Sequence, residues 1–258
     1  MSLSSLVRGV LFVLSTMPVF GCVSLETPVS GSRFVIPEVR GSFGKGEIGG
    51  GLISTTNIVM VRDADASPEI TDKPDLRSGN DVNYFGRLGL LNFLDIHIDS
   101  AAGLGGIIQL VGKPSTEATE GSWSLAAQGH VAEFLRKGEL DSSSRSYIIK
   151  TEARAKHIDY GVIVGLRRSS SLLLYASVIQ SRVTASGDVK KINRESGDTK
   201  QFIVDPEESL SNIINLGCKF GENDRMFAML ETGYMQTTFP RAENFNRPVA
   251  GLNIGFAW

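Results

Sequence analysis

Apolar and polar residues alternate along most of this chain, in segments of about ten residues separated by turn-forming clusters. The alternation is clearest in residues 94–99. One face there is apolar, with Leu94, Ile96 and Ile98, and the other is polar, with Asp95, His97 and Asp99. A period of two is typical of β-strands, and no sustained helical period interrupts these segments. The pattern therefore predicts an all-β protein.

A second polar face is strongly charged. Residues 149–156 place charged side chains at every other position, opposite Ile149 and Thr151. We expect these charges to point into the interior of a barrel, as in the strands of residues 83–90 and 94–99. The predicted lumen-facing polar residues are Arg87, Asp95, His97, Asp99, Lys150, Glu152, Arg154 and Lys156. A bulge at residues 157–159 is expected, because the charged face would otherwise continue into Tyr160 and Val162.

Strands with one apolar and one polar face can contact lipid without a free edge only when the sheet closes on itself. We therefore expect a closed antiparallel transmembrane β-barrel over residues 48–258, with ten strands, or twelve as the alternative. Residues 33–43 do not fit this count, because one more strand would make the number odd. They are a periplasmic lead-in, an N-terminal strand of a larger barrel or a segment tucked against the lumen.

Both ends of the chain carry export features. Residues 1–21 have the layout of a signal peptide, with a basic residue before an apolar run too short to span a membrane. Val19, Gly21 and Cys22 resemble a bacterial lipoprotein signal. That resemblance implies lipidation of Cys22, and the alternative is ordinary cleavage near Gly21. Residues 22–47 then form a lead-in segment.

The last strand has an apolar face that ends on an aromatic residue and consists of Leu252, Ile254, Phe256 and Trp258. It resembles the C-terminal membrane assembly signal of bacterial outer-membrane barrels, although Trp258 stands where Phe is usual. Residues 84–96, 165–167 and 173–175 resemble recurrent hairpins of outer-membrane barrel proteins of poorly assigned function. These resemblances imply an outer-membrane location, with outer-membrane lipid and the barrel assembly machinery as partners.

Connection lengths predict an orientation, because transmembrane barrels have short periplasmic turns and longer external loops. Short turns are expected at residues 91–93, 167–170 and 221–224. Long polar links at residues 62–81, 136–146 and 187–208 are expected to be exposed extracellular loops.

Composition and candidate chemistry narrow the function further. A net charge of −2 and a pI near 6.0 give no case for a nucleic-acid partner. Asp95, His97 and Asp99 lie about 7 Å apart along one strand, too far to bind one ion together, so neither a metal nor a cofactor is expected. Without a recognisable catalytic constellation, we expect a barrel with a structural, adhesive or narrow-channel role, porin-like in architecture. The alternatives are a barrel enzyme acting on lipid or peptide and a soluble secreted β-protein that binds a small apolar ligand.

Overall fold

The computed structural model describes residues 25–62, 69–140, 146–221, 225–240 and 244–258. Eleven strands make up the described chain. They are β1 (Leu25–Ser30), β2 (Gly46–Arg62), β3 (Glu69–Leu91), β4 (Leu94–Asp99), β5 (Gly103–Val111), β6 (Trp123–Leu140), β7 (Tyr147–Ser169), β8 (Leu172–Asn193), β9 (Thr199–Gly221), β10 (Met226–Thr238) and β11 (Phe245–Ala257). No helix in these residues has the length and apolar character needed to cross a membrane.

Ten of the strands form a closed antiparallel ring. Each strand from β2 to β11 pairs with its neighbour in sequence, and β11 pairs back onto β2 between Gly251↔Ile53 and Ala257↔Glu47. The expected ten-strand barrel is thus confirmed. The ring begins at Gly46, and β1 adds an extra strand that pairs only with the far part of β2.

The two ends of the barrel differ in their connections. Residues 92–93 and 170–171 make tight turns at the end where β11 finishes, which we call the short-turn end. Residues 112–122 also connect two strands at that end and form a longer link. At the opposite, long-strand end, β7, β8 and β9 extend to 23, 22 and 23 residues. About ten residues suffice to cross a bilayer, so these strands reach well past one.

In their described residues, the three links predicted as long loops are therefore mostly strand, and the prediction of loops there is wrong. β3 begins at Glu69, β6 continues to Leu140, and β8 continues to Asn193 before a short turn into β9. Polar composition argues against contact with lipid, but it does not prevent backbone pairing in water. The hairpins continue beyond the apolar part of the wall.

The outer surface of the short-turn half is an apolar band. Leu216, Val178 and Tyr160 are exposed on it. Trp123 and Trp258 are also exposed and lie near its edge at the short-turn end. On several neighbouring strands, the outward side chains change from apolar to polar at the edge of this band. Tyr160, Gln180 and Asn212 occupy such positions and are joined by hydrogen bonds from Tyr160 Oη to Gln180 and from Gln180 Nε2 to Asn212 Oδ1. This is the band a transmembrane barrel presents to lipid.

β7 runs without a break through residues 157–159, so the predicted bulge is wrong. Its pairs with β6 and β8 keep register there, and the only shift falls between Arg167 and Ser169. One outward face carries Lys156 and then Ile158 and Tyr160 because the strand passes from water into the apolar band. The change of polarity marks a boundary of solvent and not a change of face.

Candidate functional site

A stretch of the N-terminal chain occupies the barrel interior. Residues 29–41 are all buried, and they run from the end of β1 through the lumen before β2 begins. Of the three placements considered for residues 33–43, the structure shows the segment inside the lumen for residues 33–41, whereas Ser42 and Phe43 are exposed. We call residues 30–41 the plug.

Side chains of the wall bind the backbone of the plug. Glu231 accepts hydrogen bonds from the Arg33 amide at 2.8 Å and the Phe34 amide at 3.3 Å. Nearer the short-turn end, Asp95 accepts a hydrogen bond from the Arg40 amide at 2.9 Å. Buried backbone groups outside a sheet need such partners, because an unmet one costs about as much as a lost hydrogen bond.

Two further bonds connect plug carbonyls and amides to the wall. Asn215 Nδ2 donates to the Gly31 carbonyl at 2.8 Å, and the Val39 amide donates to Gln109 Oε1 at 3.0 Å. Below them, the Ser115 amide of the 112–122 connection donates to the Val39 carbonyl at 2.8 Å. The plug is thus bound along its length and capped at the short-turn end.

Buried ion pairs fill the space beside the plug. Glu47 lies 2.5 Å from Lys219 Nζ and 3.3 Å from Arg87 Nη1, and Arg87 Nε lies 2.5 Å from Asp95. Arg167 makes a two-pronged contact with Glu38 of the plug. Such pairs satisfy both charges only while both partners stay in place, since removal of one leaves a bare buried charge.

All three histidines of the chain face the interior. His97 Nδ1 and His130 Nε2 lie 2.7 Å apart, across Gly105 of the intervening strand. A Cβ atom on Gly105 would lie 2.2 Å from the His130 ring, so glycine is required for this contact. The third histidine, His157, packs edge-on against Phe134. Among the described residues, no group of three or more His, Cys, Asp or Glu side chains is placed to hold a metal ion.

The predicted lumen-facing residues divide into two groups. Arg87, Asp95, His97 and Asp99 are buried inside the barrel. Asp99 accepts hydrogen bonds there from the Ala101 and Ala102 amides and closes the turn between β4 and β5. The first three lie within the short-turn half, beside the plug.

The other four, Lys150, Glu152, Arg154 and Lys156, were predicted wrongly. They lie on the outward face of β7, with side-chain exposures of 48% for Lys150 and 63% for Arg154. Ile149, Ala153 and Ala155 point inward instead and pack in an apolar core. The error arose because polarity indicates the lumen only where the outside is lipid, and this part of β7 extends past the apolar band.

Three of these outward charges, Lys150, Glu152 and Arg154, line a groove of about 530 Å³ on the long-strand half. Its charged residues are Lys137, Lys150, Arg154 and Lys190, together with Glu139, Glu152 and Asp188. Lys137 and Arg154 both contact Glu152, at 3.4 Å and 2.6 Å. The hydrogen bond from Arg154 holds the pKa of the Glu152 carboxyl below its ordinary value. Lys150 lies directly opposite Lys190, and its Nζ lies 3.4 Å from Glu139, whose carboxylate offsets the repulsion between these like charges.

The structure places the terminal face Leu252, Ile254, Phe256 and Trp258 outward on the apolar band. The Trp258 amide donates to Gly46, and the Gly46 amide donates to Trp258, at 3.0 Å and 3.1 Å. The chain therefore closes the ring at its last residue. Cys22 lies outside the described residues, and its acylation stays a prediction; Cys218 is a free thiol.

Sequence reasoning missed most of the residues that hold the plug in the lumen, both in the plug itself and on the wall. Arg33, Glu38 and Arg40 fall in a segment with no regular period, so no pattern singled them out. Glu231 and Arg167 do occupy inward positions of strands, and isolated charges at inward parity were the one available signal.

No protein-family model matches the chain, and no curated protein matches it. Similar solved structures include Ail, the attachment invasion locus protein of Yersinia pestis, at 12% identity over 84% of this chain and 99% of Ail, with a TM-score of 0.32. Ail in complex with the heparin analogue sucrose octasulfate gives a TM-score of 0.35 at the same identity and coverage. The outer membrane channel DcaP of Acinetobacter baumannii gives 0.19, at 7% identity over 86% of this chain and all of DcaP. The fold assignment rests on the closed ring of strands.

Proposed function

We propose that this protein is a bacterial outer-membrane barrel that is sealed by its own N-terminal segment and acts through its long-strand half, outside the cell, as an adhesive surface. The observation that carries the proposal is the buried plug, bound by backbone hydrogen bonds and ion pairs inside the ring. A filled lumen argues for a function at the cell surface and against passage of solutes through the barrel.

The orientation follows from the two ends. Tight turns are typical of the periplasmic side of transmembrane barrels, and long hairpins are typical of the external side. The apolar band would meet outer-membrane lipid, and the charged outer faces of β7 and β8 would stand in water. Insertion by the barrel assembly machinery, with Trp258 as part of the signal, belongs to the same proposal.

A narrow channel is disfavoured by size as well as by the plug. Barrels of about eight strands have interiors that side chains just fill, and wide aqueous channels appear at about sixteen. A ten-strand ring that also contains residues 30–41 has little interior space left. In planar lipid bilayers we expect no steady conductance from the wild type, and porin-like currents would overturn the sealed barrel.

The groove supports the adhesive part of the proposal. It contains four basic and three acidic side chains, and Lys150 of β7 lies directly opposite Lys190 of β8. The slight excess of basic groups favours an anionic polymer as the contacting partner. Such contacts between exposed charges weaken with salt, because the Debye length falls to about 8 Å at physiological ionic strength.

Shortening one hairpin tests this role. Gly187 and Val204 pair across β8 and β9, so residues 188–203 can be replaced by the two-residue turn Asn-Gly without shifting the register. Cells that express the wild type should attach to surfaces coated with dextran sulfate better than to uncharged dextran. The shortened variant should lose most of that difference, because it lacks Asp188 and Lys190.

A matched control keeps the groove. Replacement of residues 193–198 by Asn-Gly joins the paired Ile192 and Thr199 and alters only the hairpin tip. This variant should attach like the wild type, and both variants should keep the heat-modifiable migration of a folded barrel. Equal attachment of wild type and groove-shortened cells would overturn the adhesive role.

A further inference from the structure

The direction of β1 shows where the N-terminal chain enters the barrel. β1 runs antiparallel to β2, with Leu25 opposite Val61 near the long-strand end and Ser30 opposite Thr55 nearer the middle. Leu25, the first residue that the structure describes, therefore lies toward the long-strand end. The polypeptide enters the lumen from that side.

Two contacts with β7 show that the plug then runs through the lumen toward the short-turn end. Arg33 Nε lies 2.7 Å from Asp159 of β7, and Glu38 binds Arg167, eight residues closer to the short-turn end of the same strand. Eight residues of strand span about 26 Å. Gly41, with φ of 84°, then begins the turn that leads into β2 at Gly46, beside Trp258.

The plug therefore passes through the barrel along nearly its whole height. From Gly46 to Val61, β2 spans about 50 Å along the strand, or roughly 35–40 Å along the axis at the usual strand tilt. Cys22 precedes Leu25 by three residues, which reach at most about 10 Å. A reach of about 10 Å is much shorter than the height of the barrel.

We propose that the chain is threaded through its own barrel, so that the N-terminus of the exported protein, with Cys22, is displayed at the cell-surface end. This inference rests on the orientation given under the proposed function. A lipid on Cys22 then belongs to the outer-leaflet side of the membrane and not to the periplasmic side. The plug is the part of the chain that crosses the membrane inside the ring.

Burial explains why the threaded segment stays in place. Arg33, Glu38 and Arg40 are each 1% exposed or less, and each contacts a charged residue of the wall. Withdrawal of the segment in either direction would leave Asp159 and Arg167 buried without these partners, and it would break the hydrogen bond from the Arg40 amide to Asp95.

Epitope insertion in the full-length chain tests the threading. One tag is placed between residues 23 and 24, a second between residues 196 and 197 at the long-strand end, and a third between residues 170 and 171 at the short-turn end. We expect antibodies on intact cells to label the first two tags, and the third to be labelled only after permeabilisation. Heat-modifiable migration checks that each tagged chain is folded.

The outcomes separate threading from orientation. If the tag at 23/24 behaves like the tag at 170/171, threading is overturned. If the tag at 170/171 is the surface-labelled one and the tag at 196/197 is not, the orientation of the proposed function fails. In that case, threading is still supported if the tag at 23/24 is labelled under the same conditions as the tag at 196/197.

A disulfide provides a second measurement if the tags impair folding. Ser30 and Thr55 are direct partners between β1 and β2, and their Cβ atoms are expected about 5 Å apart. The Ser30→Cys/Thr55→Cys variant, made with Cys218→Ser, should form an internal disulfide on mild oxidation in the folded barrel. The single Ser30→Cys variant should not, and failure of the double variant to cross-link would overturn the threaded path.

Discussion

The two halves of this barrel use the same strands with opposite polarity. In the short-turn half the outside is apolar, as at Leu216 and Val178, and the inside carries ion pairs around the plug. In the long-strand half the outside is charged, and the inside is an apolar core that includes Ile149, Val183 and Val189. Inward and outward positions never exchange along β7. Only the surroundings change, from lipid to water.

This comparison shows that alternation by itself reports parity and not direction. A polar face indicates the lumen where the outer solvent is hydrocarbon, and it indicates the exterior where that solvent is water. Four predictions test the contrast between the halves.

The largest effect is expected inside the short-turn half. Arg33→Met should lower the free energy of unfolding by about 3–5 kcal/mol, because it leaves Asp159 buried without its charged partner. Urea titration in lipid vesicles, followed by tryptophan fluorescence, measures the change. Arg33→Met/Asp159→Leu should recover most of the loss, and Arg154→Met, on the exposed groove, should have no measurable effect. Similar effects of Arg33→Met and Arg154→Met would contradict the difference between the halves.

The outer surfaces are compared on one strand. Leu216 and Ile203 are both exposed on β9, at 62% and 67%, but Leu216 lies in the apolar band and Ile203 in the long-strand half. Leu216→Arg should cost roughly 2–4 kcal/mol of unfolding free energy, the range for a basic residue placed in the lipid-facing midplane. Ile203→Arg should be tolerated. Equal losses of folded barrel in the two variants would show that the apolar band does not end where we place it.

Closure of the short-turn end has a smaller expected contribution. Deletion of Trp258 removes its two backbone hydrogen bonds with Gly46, which together contribute roughly 1–3 kcal/mol. The amount of folded, heat-modifiable barrel in the outer membrane should fall while export continues. Trp258→Phe, which keeps both backbone bonds and an aromatic end, is the matched control. An unchanged folded yield after deletion would count against the role of this residue in assembly.

The smallest effect is expected in the core of the long-strand half. Ile149 is fully buried, and Ile149→Val should cost about 0.5–1.5 kcal/mol through one lost methylene. Lys150→Gln, at the next and outward position, should stay within about 0.5 kcal/mol of the wild type, as surface changes usually do. If Lys150→Gln were the more harmful variant in the urea titration, the inward and outward faces would be exchanged.

Local sequence was sufficient to predict the ring. Alternation at residues 94–99 and 252–258 gave the strand type, because a period of two follows directly from backbone geometry. A count of the alternating segments favoured ten strands over twelve. The candidate site could be predicted only in part. Arg87, Asp95 and His97 were identified because their outward neighbours are apolar, whereas Lys150 and Lys156 were assigned to the wrong side.

The sequence by itself thus determined the strand type and, in the clearest segments, the parity of the strand, since both depend on neighbours a few residues apart. Tertiary structure alone decided where the apolar band ends and what fills the lumen. Arg33 meets Asp159, and Glu38 meets Arg167, across more than a hundred positions of chain. Such pairings follow from ring closure and from the space it leaves inside, and an irregular segment carries no periodic signal of them.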